Sequence, residues 1–259
     1  MPTYFDTHAH LDDDRFAGDL AATLDRAAAV GVERILCIGI DYATSEAAVR
    51  LAAEHPQVLQ AIVGIQPNHV AEVAPGDFEA IIELAEHPSV CGIGESGLDR
   101  YWDRAPFPLQ EEYFRKHLEL ARAKGFPIVI HCRDADDDCL RMLREEFDSH
   151  GPVKGIMHSF AGSTATAAEC VRLGLHISFS GMITYKNAQN LRDTAPTIPR
   201  ERLLVETDCP YLSPAPHRGK RNEPAFVIHT AAILASAIGI PAEELAVITT
   251  TNARRLFKL

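Results

Sequence analysis

Eight short apolar runs of β-strand character recur along this chain, each followed by a stretch with helical spacing. That alternation constrains the fold more than any other feature. The runs are TYFDTH (3–8), ERILCIGI (33–40), LQAIVGI (59–65), SVCGIG (89–94), FPIVIH (126–131), VKGIMH (153–158), LHISFSG (175–181) and RLLVETD (202–208). Several are almost wholly apolar, as in strands buried on both faces. The clearest helical segment, LQEEYFRKHLELARAKG (109–125), puts Tyr113, Phe114, His117, Leu118 and Ala121 on one side, with Gly125 as the stop. SEAAVRLAAEH, DFEAIIELAEH and STATAAECVRLG behave alike, KNAQNLRDTA has a weaker pattern, and EPAFVIHTAAILASAIG and PAEELAVITTTNARRLF close the chain. Alternating strands and helices imply an α/β fold with a parallel sheet. At 259 residues the leading expectation is one domain spanning 1–259, a (β/α)8 TIM barrel. A doubly wound open sheet competes, but no GxGxxG or Walker A sequence accompanies it.

Hydrophobic residues make up 46% and charged residues 24%, the balance of an ordinary globular protein. No apolar run is long enough to span a bilayer, and no secretory signal precedes His8, so a cytoplasmic location is expected. Cys37, Cys91, Cys132, Cys139, Cys170 and Cys209 are scattered without a CxxC pair and are expected to be reduced. Lys and Arg number 25 against 36 Asp and Glu, a formal net charge of −11. A field of that sign repels nucleic acid and phosphate esters, which excludes a broad non-specific nucleic-acid platform. It leaves room for a local pocket made cationic by bound metal. No internal repeat or linker interrupts the chain, and the Pro-rich PYLSPAPHRGKRNEP (210–224) reads as a loop.

Ionisable residues stand at the ends of the apolar runs. In FDTHAH, Asp6, His8 and His10 share a face if the first strand extends that far. Glu95, His131, His158 and Asp208 each close a run, and Glu206 and Asp208 share a face in the last. Taken singly, such residues are helix caps or hydrogen-bonded structural groups. Together they are four imidazoles and two carboxylates on five strands, and in a parallel barrel those strand ends converge on one rim. A metal site at the C-terminal ends of the strands follows. One catalytic zinc takes three protein ligands and keeps a position open. Six ligands therefore suit two ions sharing a carboxylate, an arrangement that clamps the attacking and leaving oxygens of a hydrolytic displacement. Imidazole favours zinc, and the carboxylates also admit manganese or magnesium.

The segments FDTHAHLD, GESGLDRYWD, PIVIHCRDA, GIMHSFAG, LLVETDCPYLSP, HRGKRNEPAFV and TTTNARRLF run in order from residue 5 to residue 257. They resemble the motifs of the TatD family of metal-dependent deoxyribonucleases, within the amidohydrolase-like metallo-barrels. HxH is shared by many hydrolases, whereas ETDxPYLxP with RGKRNEP is far more specific. The resemblance implies a TIM barrel that binds two divalent ions and cleaves DNA from a strand end in the 3′-5′ direction. It implies that His8, His10 and Asp208 hold one ion, His131 and His158 the other, and that Glu95 bridges. Asp208 would also orient or deprotonate the attacking water, and Glu206 would back a ligating histidine. Arg133, Arg218, Lys220 and Arg221 become candidates for phosphate contact, and Tyr101 and Trp102 for stacking on a base. Cys132 and Cys209 flank ligands and should point away from them. Where relatives carry a GxHPH-like segment this chain reads GIQPNH, so Gln66 replaces a histidine and His69 is displaced. The usual GEIGLD-like motif reads GESGLD. Two other readings compete: hydrolysis of a small amide, lactone or phosphoester, and a metal-stabilised scaffold without catalysis. No obligate protein partner and no membrane contact are implied.

Overall fold

The computed structural model describes residues 2–259. Its eight strands are β1 (Tyr4–Ala9), β2 (Val32–Ile38), β3 (Leu59–Val63), β4 (Val90–Asp99), β5 (Ile128–Arg133), β6 (Gly155–Met157), β7 (His176–Phe179) and β8 (Leu203–Val205). They pair in parallel and in sequence order from β1 to β8. The ring closes through a parallel bridge between Ala9 and Cys209. His10 N donates to Cys209 O at 2.7 Å, and Asp208 N donates to His8 O at 2.9 Å. The fold is the (β/α)8 barrel. Helices α1 (Leu20–Ala29), α2 (Tyr42–Glu54), α3 (Asp77–Leu84), α4 (Phe107–Lys124), α5 (Asp136–His150), α6 (Thr164–Arg172) and α7 (Gln189–Thr194) fill the crossovers, and α8 (Val227–Ile238) and α9 (Ala242–Phe257) follow the last strand.

The barrel interior is packed with apolar side chains. Phe5, Leu36, Ile38, Ile62, Cys91, Val129, Ile156 and Leu204 form one buried cluster with Ala253, Leu256 and Phe257 of α9. Helix α9 thus plugs the N-terminal end of the ring. Side chains two residues apart point the same way along a strand. Counting up from Val129, Ile156 and Leu204 leads to His131, His158 and Glu206, so the polar site is the layer above the core. All six cysteines are free.

Three strand expectations change at this rim. The alternation expected to put Asp6 beside His8 and His10 fails, because the register shifts between Asp6 and Ala9. Phe5 belongs to the interior cluster, and Asp6 instead accepts the Thr207 N–H at 2.8 Å and the Thr207 hydroxyl at 2.6 Å in the β1–β8 seam. Burial pushes the Asp6 carboxyl up to about 7 despite these bonds. Strand β8 ends at Val205, so Glu206 and Asp208 lie beyond it, and Asp208 adopts φ 57°. Strand β4 is longer than its apolar run because the ladder shifts register between Ile93 and Ser96 and then resumes. Gly94 and Gly97 have φ 131° and 147°. A Cβ at these glycines would approach Val129 O to 2.5 Å and His131 O to 2.0 Å. The GESG sequence therefore permits a bulge that re-aims Glu95, a device common beside functional sites.

Helix α4 keeps its expected face, with Phe114, His117, Leu118 and Ala121 buried and Gly125 as a left-handed cap, although Tyr113 is only partly covered. His117 is fully buried and neutral. Its Nδ1–H donates to Tyr113 O at 2.6 Å, and its Nε2 accepts the Ile65 N–H at 2.9 Å. Burial pushes its pKa down to about 4, and burial likewise pushes His176 down to about 4. Unfolded histidine titrates near 6.5, so the unfolded chain takes up protons first as the pH falls. These groups therefore leave stability unchanged above about pH 6.5 and erode it from there toward pH 4, by up to about 3 kcal/mol for His117. Because Asp6 acts with the opposite sign over the same range, this acid limb is read as a difference: His117→Gln should cost about 1–2 kcal/mol at neutral pH, and urea unfolding should show that gap from the parent shrinking as the pH falls from 6.5 toward 4.

Candidate metal centre

Six side chains converge at the mouth of the barrel: His8 from β1, His10 just after it, Glu95 in β4, His131 in β5, His158 after β6 and Asp208 after β8. His8, His10, Glu95 and His158 are buried. The side chains of His131 and Asp208 keep 15% and 14% exposure, so the cluster opens to solvent along those two residues.

Glu95 stands between two groups. Its Oε2 lies 3.4 Å from His8 Nε2 and 3.9 Å from His10 Nε2. Asp208 Oδ1 lies 3.7 and 3.4 Å from the same nitrogens, which are 3.2 Å from each other. Glu95 Oε1 faces the other way, 2.8 Å from His131 Nδ1 and 3.2 Å from His158 Nε2. The rings of His8 and His158 stack at 4.0 Å between the two halves.

The outer nitrogens of three imidazoles meet fixed acceptors. His10 Nδ1 lies 3.1 Å from Ile38 O, His131 Nε2 2.9 Å from Asp99 Oδ2, and His158 Nδ1 3.2 Å from Glu206 Oε1. Such acceptors take the ring N–H, which leaves the inner nitrogen as a lone pair. Here each inner lone pair faces a carboxylate oxygen, so a cation or a shared proton has to lie between them. Burial opposes charge on His10, yet its bond to Asp208 and the charges of Asp208 and Glu95 carry it up to about 9. His131 is carried up to about 9 by Asp99 and Glu95, again against burial. Burial also opposes ionisation of Glu95, but His158, His131 and His8 hold it well below the usual carboxylate range. The cluster demands positive charge.

The donor spacing suits a metal ion. A tetrahedral ion with bonds of about 2.0–2.2 Å holds its ligands about 3.3–3.6 Å apart. The separations between His8 and His10, and from each of them to Glu95 and Asp208, run from 3.2 to 3.9 Å.

Asp99 is the residue that sequence reasoning missed. Besides His131 it accepts Asn68 Nδ2 at 2.9 Å and the backbone N–H groups of Tyr101 and Trp102 at 2.8 and 2.9 Å. One carboxylate thereby fixes an imidazole and the turn after β4. The signal was present in GESGLD, where Asp99 follows Glu95 by an even number of positions on the same strand. Glu206 plays the matching part for His158 and also accepts Ser159 N at 2.7 Å.

The other candidates are spread around the mouth. Arg133 is exposed at the end of β5, with its guanidinium 3.7 Å from the ring centre of exposed Tyr101, and Trp102 meets that ring edge-on at 4.9 Å. Arg218 lies 3.6 Å over Tyr185, and Lys220 is exposed. Arg221 turns back into the fold, bonding both Asp19 oxygens at 2.7 and 2.8 Å and Arg15 O at 2.6 Å. Gln66 accepts Asn68 N, and His69 lies toward Asp41 and Glu72, so neither joins the cluster.

A (β/α)8 barrel with histidines and carboxylates gathered at the C-terminal ends of its strands has the make-up of a metal-dependent hydrolase. Residues 5–258 match the family described as TatD related DNase, and the chain belongs to that family. The Bacillus subtilis uncharacterized metal-dependent hydrolase YabD is 42% identical over 98% of this chain and 99% of its own. A Salmonella typhimurium relative named 3′-5′ ssDNA/RNA exonuclease TatD is 36% identical over 98% and 99%. Among solved structures, the TatD homologue YjjV of Escherichia coli superposes with a TM-score of 0.92 at 29% identity, covering 99% of this chain and 98% of that one.

The Asp99 contacts predict that Asp99→Ala leaves the fold intact but loosens divalent-cation binding. Loss of such an outer partner typically costs about 10–100-fold in affinity. Metal titration calorimetry on the variant and the parent measures it.

Proposed function

We propose that this protein hydrolyses phosphodiester bonds of DNA from a strand end, using two divalent ions held by the six-residue cluster. The observation that carries the reading is Glu95, whose two oxygens face separate imidazole groups with Asp208 beside one of them. His8, His10 and Asp208 would hold one ion, His131 and His158 the other, and Glu95 both. Imidazole-rich donors suit zinc, with manganese and magnesium admitted by the carboxylates. Such ions, when bound, lower the pKa of water and neutralise charge on phosphoryl oxygens.

The residues of the chain supply the rest. Asp208 stands at the open side of the cluster and is held below the usual carboxylate range, against burial, by His10, His8 and His158. It is therefore an ionised acceptor that orients the attacking water and takes its proton. Glu95 keeps the two halves in register. Asp99 and Glu206 fix the rings of His131 and His158, so the donors need no reorganisation when substrate arrives. Arg133, Arg218 and Lys220 are exposed cations around the mouth and contact phosphate. Arg221, committed to Asp19, shapes the loop instead. The exonuclease name of the Salmonella relative supports a nucleic-acid substrate. The whole of residues 1–259 acts as one domain in this reading.

Asp208→Asn is the sharpest test, because Asn tolerates the left-handed backbone at φ 57° and the change removes only the charge. Turnover of labelled single-stranded DNA should fall about 1,000-fold, with the circular dichroism spectrum unchanged. A chelator should abolish activity of the parent, and zinc, manganese or magnesium should restore it. Near-parental turnover by Asp208→Asn overturns the role given to this residue. Failure of the metal-loaded parent to cut any DNA, with cleavage of an amide or lactone, favours the small-molecule reading.

A further inference from the structure

Most arginines of this acidic protein are tied to carboxylates, as Arg100 is to Asp138 and Arg221 to Asp19. Arg133 and Arg218 are not. Among the described residues no ion pair or hydrogen bond takes up either guanidinium, and each instead lies over a tyrosine ring, 3.7 Å from the centre of Tyr101 and 3.6 Å from that of Tyr185. Stacking on a ring face orients a guanidinium while leaving its in-plane N–H groups unspent. Those N–H groups form a fork that matches two phosphate oxygens. A third such pair, Arg15 over Tyr211 at 4.5 Å, differs because Arg15 is bound by Asp13 through Nε and Nη2, both at 2.8 Å.

The two open pairs sit on different sides of the metal centre. Tyr101 follows β4 and Arg133 ends β5, and the Asp99 carboxylate that holds His131 also holds the Tyr101 N–H. Tyr185 follows β7 and Arg218 follows β8. Thr184 ties their two loops together by accepting Ala215 N at 2.8 Å. Strands β6 and β7 separate β5 from β8 around the ring. One cation pair is thus anchored to the His131 side and the other to the Asp208 side.

We infer that Arg133 on Tyr101 and Arg218 on Tyr185 are two separate clamps for the phosphates flanking the scissile one. The site then selects a strand end that carries a terminal phosphate, where the last bond has a phosphate on each side, over a mononucleotide or small phosphoester. This rests on the phosphodiesterase reading above. Tyr185 and Tyr101 act as positioning residues, because they set the plane of the guanidinium rather than touch the reacting atoms.

The test compares a single-stranded oligodeoxynucleotide phosphorylated at both ends, a dinucleoside monophosphate and bis(p-nitrophenyl) phosphate with the metal-loaded enzyme. Arg133→Met and Arg218→Met should each raise KM for the oligonucleotide about tenfold with a smaller effect on kcat, and should cost the two short substrates far less. Each loss of a phosphate contact on a single strand should lower the slope of log KM against log salt by about 0.7, and the double variant by about 1.4. Tyr185→Leu should raise KM for the oligonucleotide, and Tyr185→Phe, which keeps the ring, should recover most of that loss. Equal losses on all three substrates, or salt slopes that do not move, overturn the clamps while leaving the phosphodiesterase reading standing. A parent enzyme that cleaves none of the three overturns both.

Discussion

Lone pairs and carboxylates held face to face inside a barrel mouth are the constraint around which this molecule is arranged. Left to themselves, His10, His131 and His158 would turn away from Glu95 and Asp208 or lose their N–H to them. The structure prevents this by spending other acceptors, Ile38 O, Asp99 and Glu206, on the outer ring nitrogens. The result is a cavity whose electrostatics are satisfied by cations. The packed core beneath it, closed by Phe257 and its neighbours, holds that arrangement at low dielectric, where unpaired acceptors are most costly.

The fold was legible because parallel barrel strands are apolar on both faces and are separated by helices of regular period. Strand ends were less legible. At the rim, residues leave the ladder to serve the site, so β8 stops at Val205 although the strand was expected to reach Asp208, and β4 continues through a bulge that glycines permit. Period-two reasoning places His131 and His158 correctly above Val129 and Ile156. It fails for Asp6, whose strand shifts register before the histidines.

The six convergent residues could be picked out because each is an ionisable group after an apolar run. Asp99 was overlooked because it lies past the expected end of its strand and looks like an ordinary loop aspartate, although its even spacing from Glu95 was there to read. The basic loop shows the opposite difficulty. Sequence counts charges and cannot see which are already taken: Arg221 and Arg218 are near neighbours, yet one is locked to Asp19 and the other rests on Tyr185. The difference lies entirely in what the fold brings beside each guanidinium.

The seam between β1 and β8 has a temporal meaning. His8 and His10 emerge early in synthesis and Asp208 late, and the bonds from Asp208 N to His8 O and from His10 N to Cys209 O join them only when the ring shuts. A chain that ends before residue 208 therefore carries the first histidines with Glu95 but without Asp208. Such a chain lacks one of the donors that stand around His8 and His10. The set of donors around those histidines is therefore complete only once the last strand has closed the ring.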